Sequence, residues 1–151
     1  MNYILDTNIL LTYVRDNVVT QNIENELNLI TGNHNLVVSV VSVGEIKSIA
    51  KQNKWGERRI NRLNDLFLDF IRTEINTEDI IEKYAEIDTF SQGKLTESPS
   101  NFTSRNMGKN DIWIAATASV YNLELITTDK DFEHLRKDYL NINLIDLKNF
   151  K

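Results

Sequence analysis

Apolar runs and helical spacings alternate along this chain in a way that predicts strand–helix units from its first residues. Tyr3-Ile4-Leu5 is a bulky β-forming run without polar alternation, the pattern of a strand buried on both faces of a parallel sheet. It stops at Asp6-Thr7-Asn8, residue types that cap helices, and Ile9, Leu10, Leu11, Tyr13 and Val14 supply the helix behind them. Over residues 21–30, Ile23, Leu27 and Ile30 are spaced four and three apart and predict a second helix, ending near Thr31-Gly32-Asn33. Leu36-Val37-Val38-Ser39-Val40-Val41 reads as a second interior strand. Ser42 with Glu45 three residues on is the S-x-x-E pattern of a capping box, so a helix carrying Ile46, Ile49 and Ala50 is expected to begin there.

Trp55-Gly56 breaks or bends that helix, and Ile60, Leu63, Leu66, Phe67 and Phe70 mark another, running to about Ile71. Residues 71–75 have the composition of a short strand. Thr77-Glu78-Asp79 looks like a cap with acids in the first turn, ahead of a helix buried through Ile80, Tyr84, Ile87 and Phe90 and ending by Gly93. Residues 94–107 hold the only proline, Pro99, among serines, threonines and asparagines, which reads as a mobile loop. From Asp111, Ile112-Trp113-Ile114-Ala115-Ala116-Thr117-Ala118 is apolar nearly all round, the mark of an interior helix. It closes at Tyr121-Asn122. Residues 123–126 form a further strand, Thr127-Thr128-Asp129-Lys130-Asp131 leads into a short helix with Phe132 and Leu135, and residues 142–147 add an edge strand. Strands alternating with helices make an α/β fold, with helices flanking a mostly parallel central sheet.

A chain of 151 residues with 41% hydrophobic content fits one domain, residues 1–151, with a real core. It has no cysteine, which excludes a disulfide scaffold, a thiolate metal site and a cysteine nucleophile, and suits a reducing compartment. Nothing resembles a signal peptide or a membrane span, so the expected location is the cytoplasm. A net charge of −5 argues at first against a polyanionic partner. That argument depends on the acids' positions, because setting aside Asp6, Glu45, Asp111, Asp129 and Asp131 takes −5 to 0.

Four of these acids occupy equivalent places: Asp6 after the first strand, Glu45 and Asp111 opening helices, and Asp129 after a later strand. Singly, each has a structural explanation as a helix cap. Jointly, carboxylates at one mouth of one sheet repel, by about 4 kcal/mol per pair at ~4 Å and an effective dielectric of about 20. Either their pKa values rise or cations sit among them. Oxygen ligands alone select a hard ion, Mg²⁺ or its substitute Mn²⁺.

The stretches Leu5-Asp6-Thr7-Asn8, Ser42-Val43-Gly44-Glu45, Asn110-Asp111-Ile112-Trp113-Ile114-Ala115-Ala116 and Thr127-Thr128-Asp129-Lys130-Asp131-Phe132 resemble, in order, the signature segments of the PIN-domain ribonucleases. The chain's size is similar to that of the VapC-type toxins within that family. The resemblance implies a three-layer PIN-like fold over the whole chain and a Mg²⁺-dependent endoribonuclease leaving a 5′ phosphate and a 3′ hydroxyl. It also implies an RNA substrate such as tRNA or rRNA, a cognate antitoxin protein and a homodimer. It assigns Asp6, Glu45, Asp111 and Asp129 as catalytic metal-binding acids, with Asp131 as an additional ligand. Thr7, Asn8 and Thr128 would orient carboxylates or water behind them. Arg105, Asn106 and Lys109, just before Asp111, are placed to touch phosphate.

Two rivals come from other classes. A strand-end Asp also begins the site of haloacid dehalogenase-like phosphotransferases, but the second Asp expected two residues on is Asn8 here. A non-catalytic binding module would keep the acids only as caps. A metal-free ribonuclease would need two histidines, and His34 and His134 fall in a turn and on a surface helix. No glycine pattern builds a phosphate loop. Lys47, Lys51, Lys54, Arg58 and Arg62 repeat every three or four residues, but Lys47 lies about 200° round a helix from Glu45, so the stripe reads as a solvated face.

Overall fold

The computed structural model describes residues 1–15, 17–95 and 106–151, with only the backbone of Asn17. In chain order these form β1 (Asn2–Leu5), α1 (Thr7–Arg15), α2 (Asn17–Leu27), β2 (Asn35–Ser39), α3 (Val40–Gln52), α4 (Glu57–Phe67) and β3 (Ile71–Thr73). There follow α5 (Glu78–Ser91), α6 (Lys109–Tyr121), β4 (Glu124–Thr127), a 3-10 turn (Lys130–Leu135), β5 (Asn141–Leu144) and a closing 3-10 turn (Leu147–Phe150). The sheet order is β3-β2-β1-β4-β5, and every pairing is parallel.

Strand parity divides the core in two. Ile4, Val37 and Leu125 face α5 and α6, where Ile80, Ile87, Phe90, Ile112 and Ile114 are buried. Leu5, Val38 and Ile126 face the other way, onto Ile9, Leu10, Ile23, Ile46 and Leu63 of α1 to α4. Strands covered on both faces have no polar side, which is why their sequences lack alternation. The three-layer α/β fold expected from the sequence is the observed one, and no described helix is long and apolar enough to cross a membrane.

The chain adds β2 and β3 on one side of β1 and then crosses to place β4 on the other. That reversal makes the carboxyl ends of β1 and β4 a topological switch point, where open α/β sheets bind ligands. Leu5 pairs with Ile126, and Asp6 N–H donates to Ile126 O at 2.9 Å, so Asp6 and Thr127 leave the sheet side by side.

Two helix starts differ from the sequence reading. α3 begins at Val40 instead of Ser42: Ser39 is its N-cap, with Oγ accepting from Val41 N–H at 3.2 Å. The β-branched pair Val40-Val41 looked like strand, and the Ser42/Glu45 spacing looked like a capping box. Ser42 is instead buried inside the helix, and Glu45 stands in its second turn. α2 starts at Asn17 and stops at Leu27, where Asn28 turns left-handed at φ 50° and the Glu24 carboxylate accepts from the N–H groups of Ile30 and Thr31. Ser39→Ala should lower stability by about 1 kcal/mol through the lost cap, read by thermal denaturation.

Candidate active site

Asp6 sits at the junction of β1 and α1 and is only 3% exposed. Its Oδ1 accepts from the Thr7 N–H at 2.8 Å and its Oδ2 from the Thr127 hydroxyl at 2.7 Å. Burial pushes its pKa up, the two hydrogen bonds pull it back, and Asp129 and Glu45 push it up again. Each oxygen keeps a lone pair beyond its hydrogen bond.

Thr7 joins this acid to the next. Its Oγ1 is 3.0 Å from both Ser42 Oγ and Glu45 Oε1. A carboxylate only accepts, so the Thr7 hydroxyl hydrogen points to Glu45 and Ser42 donates to Thr7. α3 is thereby tied to the start of α1, and Glu45 is held by a side chain instead of capping its own helix. This bond explains why Ser42, 0% exposed, carries a hydroxyl in the interior.

Asp111 comes from the opposite layer. α6 has Gly108 as its N-cap without a side-chain cap, and Asp111 stands in the first turn. Among the described residues it receives no hydrogen bond, so the capping explanation fits it poorly. Its carboxyl is pushed up to about 7, by burial first and then by Asp6, Asp129, Glu45 and Asp131 in that order. Five carboxylates from four segments therefore share one electrostatic neighbourhood.

Asp129 is the N-cap of the 3-10 turn and its Oδ1 accepts from the Asp131 N–H at 2.9 Å. Asp131 itself is exposed. Thr127, which the sequence reading passed over for Thr128, links the acids across the switch point. Its hydroxyl donates to Asp6 and accepts from the Asp129 N–H at 3.0 Å, while Thr128 makes no such bond among the described residues. The signal for Thr127 was the β1–β4 register, which requires knowing which strands pair.

The remaining candidates lie as follows. Asn8 is exposed on the first turn of α1, and Asn106 and Lys109 are exposed before Asp111; Arg105 lies outside the described residues, as does most of the loop around Pro99. His34 packs edge-on to Tyr3 at 5.0 Å, and His134 Nε2 lies 2.8 Å from Ser91 Oγ. The basic stripe is split where α3 ends and α4 begins. Arg15 and Arg59 lie over the Trp55 ring at 5.8 and 5.3 Å, with Lys54, Arg58 and Arg62 around the same hollow.

The residues present suit a hard divalent cation. All donors are oxygen, Asp6 is a buried carboxylate with no ion pair among the described residues, and the field on Asp111 is the kind that positive charge relieves. Among the described residues no three of these side chains already close into a ligand cage. They share a field, and three of them are restrained by their own hydrogen bonds. For a phospho-aspartate mechanism the second carboxylate two residues on is missing, since Asn8 stands there, exposed on the first turn of α1.

The sequence matches the model of the PIN domain over residues 3–138. Among solved structures, a chain of VapBC2 from Rickettsia felis, bound to a DNA fragment from the promoter, superposes with TM-score 0.78 at 23% identity, covering 97% of this chain and 100% of that one. A chain of VapBC-1 from nontypeable Haemophilus influenzae gives 0.74 at 24%, covering 95% and 98%. VapBC-5 from Mycobacterium tuberculosis, of the VapBC family of toxin-antitoxin systems, gives 0.63 at 19%, also covering 95% and 98%. No curated protein sequence matches the chain.

Proposed function

This chain belongs to the PIN-domain family, and from that premise we propose that it is a divalent-metal-dependent endoribonuclease, the toxin of a toxin–antitoxin pair. The observation that carries the proposal is the convergence of Asp6, Glu45, Asp111 and Asp129 on the switch point, with Asp111 raised to about 7 by burial and by its acidic neighbours. Helix capping accounts for Asp129 but not for Glu45 or Asp111, and both Asp6 oxygens are held from Thr7 N–H and the Thr127 hydroxyl.

In this reading Asp6, Glu45, Asp111 and Asp129 hold Mg²⁺ or Mn²⁺, with Asp131 at the rim. A bound cation supplies a Lewis acid for the scissile phosphate and lowers the pKa of the attacking water. The chain's own part is orientation. Thr127 and the Thr7 N–H fix both oxygens of Asp6, and the Thr7 hydroxyl fixes Glu45. Asp111, which has no such bond among the described residues, can adjust to the cation. No side-chain nucleophile is required. Asn106 and Lys109, exposed just before Asp111, would meet the RNA backbone.

The test is cleavage of RNA by the purified chain with Mg²⁺ and with chelator. Cutting is expected only with the ion, leaving 5′ phosphates. Mg²⁺ at about a hundred times its dissociation constant should also stabilise the protein by about 2.7 kcal/mol. Cleavage undiminished in chelator, or a melting temperature indifferent to Mg²⁺, contradicts the proposal. The antitoxin assignment is checked by growth: expression of the chain should arrest cells, and coexpression of the neighbouring reading frame should restore them.

A further inference from the structure

α3 carries a glycine that helix stability does not explain. Gly44 is exposed inside the helix, its φ is not left-handed, and a Cβ added there meets nothing within 4 Å. Alanine would fit without strain and is the better helix former. What Gly44 preserves is open space, and that space has a definite position. An open cleft of about 540 Å³ is lined along one face of α3 by Val41, Gly44, Glu45, Ser48, Ile49 and Gln52, and by Asn110 of α6. Glu45 belongs to both the acid cluster and the cleft, and Asn110 immediately precedes Asp111.

The lining indicates what would lie there. It contains no cation and one carboxylate, so it repels phosphate. Val41 and Ile49 offer an aliphatic surface, and Ser48, Gln52 and Asn110 offer neutral donors and acceptors. Gln52 Nε2 donates to Ser48 Oγ at 2.8 Å, which orients the carboxamide and leaves its oxygen and second N–H for another partner. Side-chain amides pair with base edges, and single-stranded RNA presents those edges unstacked.

We propose that this α3 cleft seats the base and ribose of an RNA nucleotide flanking the cleaved bond. Gly44 is kept bare so that they lie against the helix, and Gln52 and Asn110 read the base edge. The proposal rests on the ribonuclease reading above, and its test is built to fail separately. Affinity for short single-stranded oligoadenylate, oligocytidylate, oligoguanylate and oligouridylate is measured by fluorescence anisotropy in an Asp111→Asn background that does not cut.

Gly44→Ala should raise the melting temperature. Gly44→Phe and Gly44→Gln should each weaken binding of the preferred oligonucleotide about tenfold, the scale of losing one stacked base. Gln52→Leu should change the ranking of the four. A Gly44→Ala protein that melts lower makes the glycine a structural requirement and overturns the proposal. So does oligonucleotide binding by Gly44→Phe and Gly44→Gln at parental strength. Absence of RNA cleavage by the wild type, with the binding pattern as expected, removes the ribonuclease reading and leaves a nucleotide seat on α3 that flanks no cleaved bond.

Discussion

Asp111→Asn should abolish RNA cleavage and yet make the metal-free protein more stable at neutral pH. Loss of a cation-holding carboxylate should cost roughly a thousandfold or more in rate, about 4 kcal/mol of barrier. Stability moves the other way because of the sign of linkage. The Asp111 carboxyl rises in the folded protein from 3.8 to about 7, so the native state binds a proton that the unfolded chain has released. Stability therefore falls as pH rises from about 4 to about 7, and the cost is fully present above that. The undiscounted linkage is about 4 kcal/mol; Asp111 is partly open to water, which reduces the expected cost to about 1–2 kcal/mol. Against this stands ~0.3–1 kcal/mol for the lost charge at the α6 N-terminus. In chelator at pH 8 the variant should thus melt slightly above wild type, and its stability should decline less between pH 4 and 7, the raised Asp6 carboxyl alone remaining. Saturating Mg²⁺ should reverse the order, stabilising wild type and not the variant. A variant that cuts RNA at the wild-type rate, or that unfolds more readily in chelator at pH 8, contradicts this account.

How much of this was legible in the sequence depends on whether local signals or tertiary partners decided the outcome. Doubly buried strands announce themselves, because Tyr3-Ile4-Leu5 has no polar alternation to suggest an open face. α6 announces itself by being apolar nearly all round, which left Asp111 conspicuous as its one first-turn acid. The β2–α3 boundary was hidden because Val40 and Val41 carry strand propensity while Ser39 holds the actual cap. Ser42 served as decoy: its hydroxyl serves Thr7, 35 positions away, and no local pattern encodes that. The same holds for Glu45, whose partner is a threonine on another helix. Neither the S-x-x-E spacing nor the dipole argument distinguishes a cap from a carboxylate held by a distant hydroxyl. Thr127 was missed for a related reason, since only the alignment of Leu5 with Ile126 sets its hydroxyl against Asp6.

Thr127→Val should accordingly show the largest loss among residues outside the acid set. The threonine is fully buried, and one hydroxyl performs two tasks there: donating to the Asp6 carboxylate at 2.7 Å and accepting the Asp129 N–H at 3.0 Å. Valine keeps the volume and leaves both groups without that partner. A hydrogen bond to a charged group contributes about 1.5–3 kcal/mol and a neutral one about 0.5–1.5, so destabilisation of about 2–4 kcal/mol is expected. The Asp6 carboxyl, already raised by burial, should rise further without one of the two bonds that lower it. It then competes less well for a cation at neutral pH, and cation affinity should fall about 10- to 100-fold, the usual scale for a group that orients a metal ligand. Thr127→Ser, which restores the hydroxyl, should recover the Mg²⁺-induced rise in melting temperature, whereas Thr127→Ala should not. Thr128→Val provides the contrast, because its side chain makes neither bond. If Thr128→Val rather than Thr127→Val abolished the Mg²⁺ response, the orienting role would belong to the neighbour, and Asp6 would not depend on the hydroxyl that the β1–β4 register places beside it.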